Sequence, residues 1–142
     1  MKIKAKEIWL RRAEGKIDEC RAISVIGDNL WERADEILQS WGKTAPNKGE
    51  GYDKCDFKVT FDDGEEYEGR FDLQAGGKDT DGCGLSGHIV GFLRIFCGEI
   101  VPKWVYESPS NKAGWEHALA LREKGGEAEM ARQYLAKYDW GI

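Results

Sequence analysis

The sequence lacks any long apolar run, since no stretch of eighteen apolar residues occurs in its 142 residues. A membrane-spanning helix needs about 20 such residues, so the sequence predicts no transmembrane segment. The N-terminus also lacks the apolar core of a secretion signal, because charges at Glu7, Arg11 and Arg12 interrupt it. We therefore expect a protein that stays in the cytoplasm where it is made and has no membrane partner.

Closely spaced metal ligands are missing as well. The four cysteines, Cys20, Cys55, Cys83 and Cys97, lie at least fourteen residues apart, whereas structural zinc sites pair their ligands at CxxC or HxxxH spacing. An even number of cysteines allows two disulfides, but in a reducing cytoplasm we expect free thiols. The sequence predicts no metal, no cofactor and no disulfide framework.

Catalytic signatures are scarce. The chain has two histidines, His88 and His117, and neither lies in a catalytic motif. His88 falls one turn before Phe92 on an apolar stretch, where a packed histidine is the simpler interpretation, and His117 is expected on a polar surface. We predict no enzyme activity and no catalytic residues. A small metal- or thiol-dependent enzyme that uses Cys83 and His88 stays an alternative.

The strongest pattern that is present predicts a β-hairpin over residues 55–73. Apolar and polar residues alternate from Phe57 to Phe61, and the alternation resumes from Tyr67 to Leu73. An Asp-Gly turn signal separates the two runs. One face of such a hairpin packs on a core while the other contacts water.

The charge around this hairpin is strongly negative, with eleven acids against four bases from residue 50 to residue 81. We expect the water-facing side to carry this charge and to be a candidate protein-binding surface. Exposed strand residues must be polar in any protein, so solubility alone is the competing interpretation. The six candidate residues are Asp62, Asp63, Glu65, Glu66, Glu68 and Asp72.

The N-terminal part, residues 1–54, predicts two strands, a helix and a loop. Residues 3–12 and 22–26 are β-branched or partly alternating runs typical of strands. Asn29 and Glu32 have capping-box spacing before an amphipathic helix, and a loop rich in glycine and proline follows.

The C-terminal half predicts three helices. Residues 85–100 form an apolar stretch that we assign to the central helix, and two more helices follow within residues 112–139. We predict a single α+β domain over residues 1–142, with an antiparallel sheet of about three to four strands packed against the central helix. The apolar stripe of that helix consists of Leu85, Ile89, Phe92, Phe96 and Ile100, and Val90, Leu93 and Cys97 widen it.

One part of the chain, residues 52–98, carries a family resemblance. The residues in question are the run YDKCDFKVTF at 52–61, Asp63-Gly64-Glu65, Tyr67, the run GRFDL at 69–73, and Leu85, His88, Ile89, Phe92 and Gly98. They are similar to a small domain of plasmids, integrative elements and phages known as the "large polyvalent protein-associated" domain. The resemblance implies a mobile-element protein in a bacterial cytoplasm, encoded near counter-defence functions, and supplies no catalytic residues.

These features favour a non-enzymatic protein-binding accessory protein of a mobile genetic element, with a counter-defence inhibitor of the anti-CRISPR or antirestriction type as the specific hypothesis. Defence complexes that handle nucleic acids present basic channels in which an acidic hairpin can dock. The expected partner is a host or element protein, for example a basic nucleoprotein defence complex.

Nucleic acid is a less favoured ligand, because phosphate contacts need clustered bases and the net charge is −5. A nucleic-acid contact through the N-terminus nevertheless stays an alternative. Six bases lie in the first sixteen residues: Lys2, Lys4, Lys6, Arg11, Arg12 and Lys16. Trp104, Trp115 and Trp140 are expected to be exposed, and the oligomeric state is left open.

Overall fold

A computed structural model describes residues 1–13, 21–45, 53–73, 84–101, 107 and 109–142. The chain falls into two compact units, each described by itself below. The first comprises residue 1, residues 3–88 and residues 139–142, and the second comprises residue 2 and residues 89–138. The prediction of a single domain stays a prediction. Four residues named above lie outside the described residues: Lys16, Cys20, Cys83 and Trp104.

A four-stranded antiparallel sheet forms the centre of the first unit, with strand order β2-β1-β3-β4. The strands are β1 (Ala5–Ala13), β2 (Arg21–Ile26), β3 (Asp53–Phe61) and β4 (Glu66–Leu73). The α+β prediction is therefore confirmed, and the hairpin predicted over residues 55–73 is the β3–β4 pair.

Alternation along the strands gives the sheet two different faces. On the covered face, Ile8, Leu10, Val59 and Phe61 are fully buried. The side chains between them form the open face, which water reaches except at the buried Thr60. The open face consists of Glu7, Trp9 and Arg11 on β1, Ala22, Ser24 and Ile26 on β2, Lys54, Asp56, Lys58 and Thr60 on β3, and Glu66, Glu68, Arg70 and Asp72 on β4.

Helix α1 (Leu30–Gly42) packs on the covered face. The predicted capping box at Asn29 and Glu32 is wrong, because no side-chain hydrogen bond caps this helix. A capping side chain needs an extended backbone at its own residue, whereas Asn29 has φ 57° and ψ 40°. The apolar side chains that α1 buries are Leu30, Ala34, Leu38 and Trp41.

The hairpin turn is tightly hydrogen-bonded. The N–H of Gly64 donates to the carbonyl of Phe61, and the N–H of Phe61 donates to the carbonyl of Glu65, each at 2.9 Å. Gly64 has φ 87°, a left-handed conformation that glycine adopts without strain. The N–H of Asp62 also donates to the carbonyl of Lys4 at 2.9 Å, so the turn is held against the chain that leads into β1.

The first residue of helix α2 (Leu85–Phe96) is hydrogen-bonded to a side chain of α1. Its first N–H, that of Leu85, donates to Asp35 Oδ1 at 2.9 Å. Gly84 has φ 84°, and a Cβ at this position would lie 2.9 Å from Asp35 Oδ2. Glycine is therefore required here both by its conformation and by the close approach of the carboxylate.

Helix α2 ends four residues before the predicted boundary at residue 100, because a Schellman motif closes it. The N–H of Gly98 donates to the carbonyl of Ile95, and the N–H of Glu99 donates to the carbonyl of Arg94, both at 3.0 Å. Gly98 has φ 76°, the left-handed conformation that this motif needs.

Burial along α2 differs in part from the predicted stripe. Leu85 and Ile89 are buried as expected, and so is Leu93 of the widened stripe, whereas Phe92 is 48% exposed. A stripe that advances by four residues leaves Phe92 on its flank. There its ring packs against Phe96, with 4.9 Å between the ring centroids.

The second unit contains the two helices predicted within residues 112–139. They are α3 (Pro109–Lys124) and α4 (Glu127–Lys137), and they pack against each other. Gly126, with φ 83°, joins them. The small residues Ala128 and Ala131 of α4 are buried.

The C-terminal residues 139–142 belong to the first unit. Trp140 is only 4% exposed, so the expectation that it lies on the surface is wrong. Its ring fills a gap between aromatic side chains of the sheet and of α1. The neighbouring rings are Phe61, Tyr67 and Trp31, with centroids at 5.1, 5.2 and 6.3 Å.

Candidate interaction surface

Four of the six predicted acids lie together at the hairpin turn, and we call this group the acidic turn: Asp62, Asp63, Glu65 and Glu66. All four are exposed. Asp63 Oδ1 accepts a hydrogen bond from the N–H of Glu65 at 3.0 Å, so Asp63 also holds the shape of the turn. Lys58 Nζ lies 3.9 Å from Glu66 Oε1 at the inner end of the group.

The other two predicted acids, Glu68 and Asp72, lie on the open face away from the turn. Asp72 forms an ion pair with Lys54. Glu68 is directly opposite Lys58 in the β3–β4 register. The structure therefore brings four of the six together and places the remaining two next to lysines. A protein-binding role for the six stays a prediction.

The open side of the hairpin is more mixed in charge than the composition suggested. It carries three bases and four acids, because two of the four open-face positions of β3 are lysines and Arg70 of β4 adds a third base. Negative charge is instead concentrated at one end of the sheet, at the acidic turn. The sheet therefore has a strongly negative end at the acidic turn and a nearly balanced charge on the open side of the hairpin.

A row of three charges crosses the middle of the open face, where Arg11 of β1, Asp56 of β3 and Arg70 of β4 are in register. Arg11 Nη2 donates to Asp56 Oδ2 at 2.6 Å, and Arg70 Nε donates to Asp56 Oδ1 at 2.5 Å. The hydrogen bond from Arg70 is the main reason that the pKa of Asp56 is lowered, and the bond from Arg11 adds to it while burial opposes it.

A shallow groove of about 500 Å³ lies along this row. The Arg11 guanidinium lies 5.8 Å from the centroid of the Trp9 ring, so an aromatic surface adjoins the charged row. Tryptophan and arginine are enriched at protein interfaces. The residues that line the groove are Trp9, Arg11, Asp56, Phe57, Glu68, Gly69 and Arg70.

The charged row gives a pH-dependent prediction. We expect Asp56→Asn to lower the free energy of unfolding by about 1 kcal/mol at neutral pH, because both guanidinium bonds weaken. Since the folded pKa of Asp56 is below the unfolded value, this contribution is present above the unfolded pKa and is lost as pH falls through the folded pKa. Urea unfolding of both proteins at about pH 7 and about pH 2 measures it. An equal difference at the two pH values would contradict this role.

The residues proposed for a thiol or metal enzyme do not form a described site. Cys83 lies outside the described residues, and His88 is half-buried with its ring centroid 5.4 Å from that of Phe71. Cys55 and Cys97 are free thiols, and burial raises the pKa of Cys55 to about 12, which keeps it protonated. Within the described residues, no three or more His, Cys, Asp or Glu side chains are grouped to hold a metal ion.

The basic N-terminus is divided between surface and interior. The three described lysines, Lys2, Lys4 and Lys6, are exposed. Arg11 is bound to Asp56 on the open face. Arg12 is 3% exposed and pairs with the fully buried Asp53, so it cannot contact a nucleic acid at the surface.

Comparisons with known proteins add no relative. No family model matches the chain, and neither a curated protein nor a solved structure matches it. The family resemblance of residues 52–98 therefore stays a prediction. Among the helices of the described ranges, none is long and apolar enough to cross a membrane.

Proposed function

We propose that this protein is a non-enzymatic binding module that docks a partner protein on the open face of its sheet. The observation that carries the proposal is the groove along the Arg11–Asp56–Arg70 row, which places Trp9 beside charges of both signs. A contact surface of this kind offers apolar area for burial together with hydrogen-bonding groups held in fixed positions by their own ion pairs.

The acidic turn supplies the long-range part of recognition. Four exposed carboxylates at the end of a hydrogen-bonded hairpin attract a basic partner and orient it before contact. Charges at the rim of an interface act mainly on the association rate and on its salt dependence. The expected partner surface is therefore basic opposite the turn and mixed in charge opposite the groove.

At the finer level, we propose a mobile-element accessory protein that acts as a counter-defence inhibitor, of the anti-CRISPR or antirestriction type, in a bacterial cytoplasm. The resemblance of residues 52–98 and the acidic turn support this proposal. A nucleoprotein defence complex with a channel for phosphate backbones is a partner of matching charge.

Charge reversal tests the proposal. Tagged protein is used to capture partners from a bacterial lysate, and the affinity of a recovered partner is then measured with purified proteins. We expect Glu65→Lys with Glu66→Lys to weaken binding at least about tenfold, because the turn then repels a basic surface. Trp9→Ala is expected to weaken binding through faster dissociation, since it removes apolar contact in the groove.

The matched control reverses two exposed acids elsewhere, Glu36→Lys with Glu116→Lys, which changes the net charge by the same amount. Unaltered affinity in this control would assign the loss to the turn and not to overall charge. Equal affinities for the turn variant, the control and the wild type would exclude the acidic turn from the interface. Unaltered binding by Trp9→Ala would exclude the groove.

A further inference from the structure

Strand β2 lies at one edge of the sheet and pairs with β1, and no described strand adjoins its other side. From Ala22 to Ile26 it contains no charged residue and no proline. Ile26 is 61% exposed and Ile23 is 38% exposed. An uncharged, β-branched edge strand of this kind is a template for pairing with another strand.

The opposite edge of the sheet is different. Strand β4 alternates charged residues along its length and contains Gly69. Charged side chains on an edge strand are a common protection against pairing with other chains. The two edge strands therefore differ in the charged side chains that hinder strand addition. Strand β4 carries such side chains along its length, whereas β2 has none from Ala22 to Ile26. The charged residues of β4 are Glu66, Glu68, Arg70 and Asp72.

The apolar layer of the covered face is incompletely buried at β2. Ile23 is opposite Leu10 in the register and belongs to the same apolar layer, yet Leu10 is fully buried and Ile23 is not. Val25, which is opposite Ile8, is 1% exposed. A further strand beside β2 would cover the exposed side of Ile23 and extend this layer.

We infer that β2 pairs with the β2 strand of a second copy of this chain, antiparallel and around a two-fold axis, so that two sheets join into one of eight strands. A two-fold axis makes the same edge serve both partners, and the interface closes after two copies. The inference does not depend on the proposed function, since the open face and the acidic turn of each copy stay accessible.

The pattern of faces restricts the register. Residues that are opposite each other in a strand pair must point to the same face. Pairing Ala22 with Ile26 and Ser24 with its own counterpart meets this condition on the open face. Ile23 then pairs with Val25 of the second copy on the covered face. Such a register places apolar residues opposite each other across the covered side of the junction.

Antiparallel pairing is the arrangement that a two-fold axis perpendicular to the strands produces. It places the uncharged run from Ala22 to Ile26 opposite the same run of the second copy along its whole length. A permanent dimer usually buries more than about 2,000 Å². A pairing of six-residue strands covers less, so we expect a dimer that dissociates on dilution.

Sedimentation equilibrium from about 5 µM to about 500 µM tests this inference. We expect the wild type to pass from monomer to dimer over this range. Ser24→Lys places two ammonium groups opposite each other at the centre of the junction, about 5 Å apart at Cβ, and should weaken dimerisation more than tenfold. Ser24 is exposed, so the substitution removes no core packing. Ile26→Lys serves as a second variant with the same expected result.

Two controls accompany these variants. Ser24→Thr keeps a neutral, β-branched residue and should dimerise like the wild type. Glu68→Lys places a lysine on the opposite edge and should also leave dimerisation unaltered. A wild type that is monomeric over the whole range would overturn the inference. The inference is overturned in the same way if the monomer binds a peptide along β2 in place of a second copy. Dimerisation that survives both lysine variants on β2 would overturn it as well.

Discussion

Asp53→Ala is expected to lower the free energy of unfolding by about 3–5 kcal/mol, because it leaves a buried guanidinium without its counter-ion. Asp53 is fully buried and Arg12 is 3% exposed. Arg12 Nε donates to Asp53 Oδ2 at 2.8 Å. Its Nη1 donates to the carbonyl of Trp41 at 3.0 Å and to Thr44 Oγ1 at 2.7 Å. The single arginine thus joins β1, β3 and the end of α1.

A double-mutant cycle separates the ion pair from the packing of its members. Urea unfolding is measured for Asp53→Ala, for Arg12→Met and for the combined variant. We expect the combined loss of stability to be smaller than the sum of the two single losses, since removing both charges leaves none unpaired. Strict additivity would contradict a coupled pair.

Arg11 provides the matched control, because it is the adjacent residue on the same strand but lies on the open face. Arg11→Met is expected to cost about 1 kcal/mol or less, since its ion pair with Asp56 is partly exposed. If Arg11→Met lowered the free energy of unfolding as much as Arg12→Met does, the solvent exposure of an ion pair would not determine its contribution to stability here.

The hairpin was predictable because its signals are local. Alternation with a period of two and an Asp-Gly turn lie within nineteen consecutive residues, 55–73, and the structure places both strands there. The end of α2 was predicted too late, at residue 100, because apolar residues continue past Phe96. Gly98 adopts the left-handed conformation that ends the helix, and a glycine just after the last apolar turn is a sequence signal for a helix C-terminus.

The candidate interaction surface could be predicted only in part. The acids of the turn are neighbours in sequence, so their grouping follows from the hairpin alone. The groove depends on the pairing of β1 with β3, which joins Arg11 to Asp56 across forty-five positions. Nothing local specifies that register, and Trp9 and Arg11 were therefore missed as parts of the surface. Trp9 and Arg11 alternate with the apolar residues Ile8 and Leu10, and this alternation was the sequence signal that both side chains lie on the water-facing side of β1.

Arg12 shows why charge alone misleads at the level of sequence. Arg11 and Arg12 are chemically identical, and both counted toward a basic N-terminal surface. The alternation Ile8, Leu10, Arg12 assigns Arg12 to the apolar face. A charge on that face requires a buried partner, and Asp53 provides it from a strand forty-one positions away. Which acid would pair with it depends on tertiary structure.

The second large effect is expected at the C-terminal residues. Trp140→Ala should lower the free energy of unfolding by about 3–5 kcal/mol, because it removes a buried indole from among three aromatic rings and leaves a cavity. The edge-on contacts with Phe61 and Tyr67, at 5.1 and 5.2 Å between centroids, are lost with it. Phe61 is itself fully buried, so the cavity opens against the centre of the covered face.

Chemical denaturation of Trp140→Ala measures this effect, and two variants calibrate it. Ile142→Ala alters a residue that is 82% exposed in the same tail and should change stability by less than about 0.5 kcal/mol. Trp140→Phe keeps an aromatic ring and should recover part of the loss. A loss below about 1 kcal/mol for Trp140→Ala would mean that the tail does not contribute to the core. The expected result instead makes residues 139–142 a structural part of the first unit.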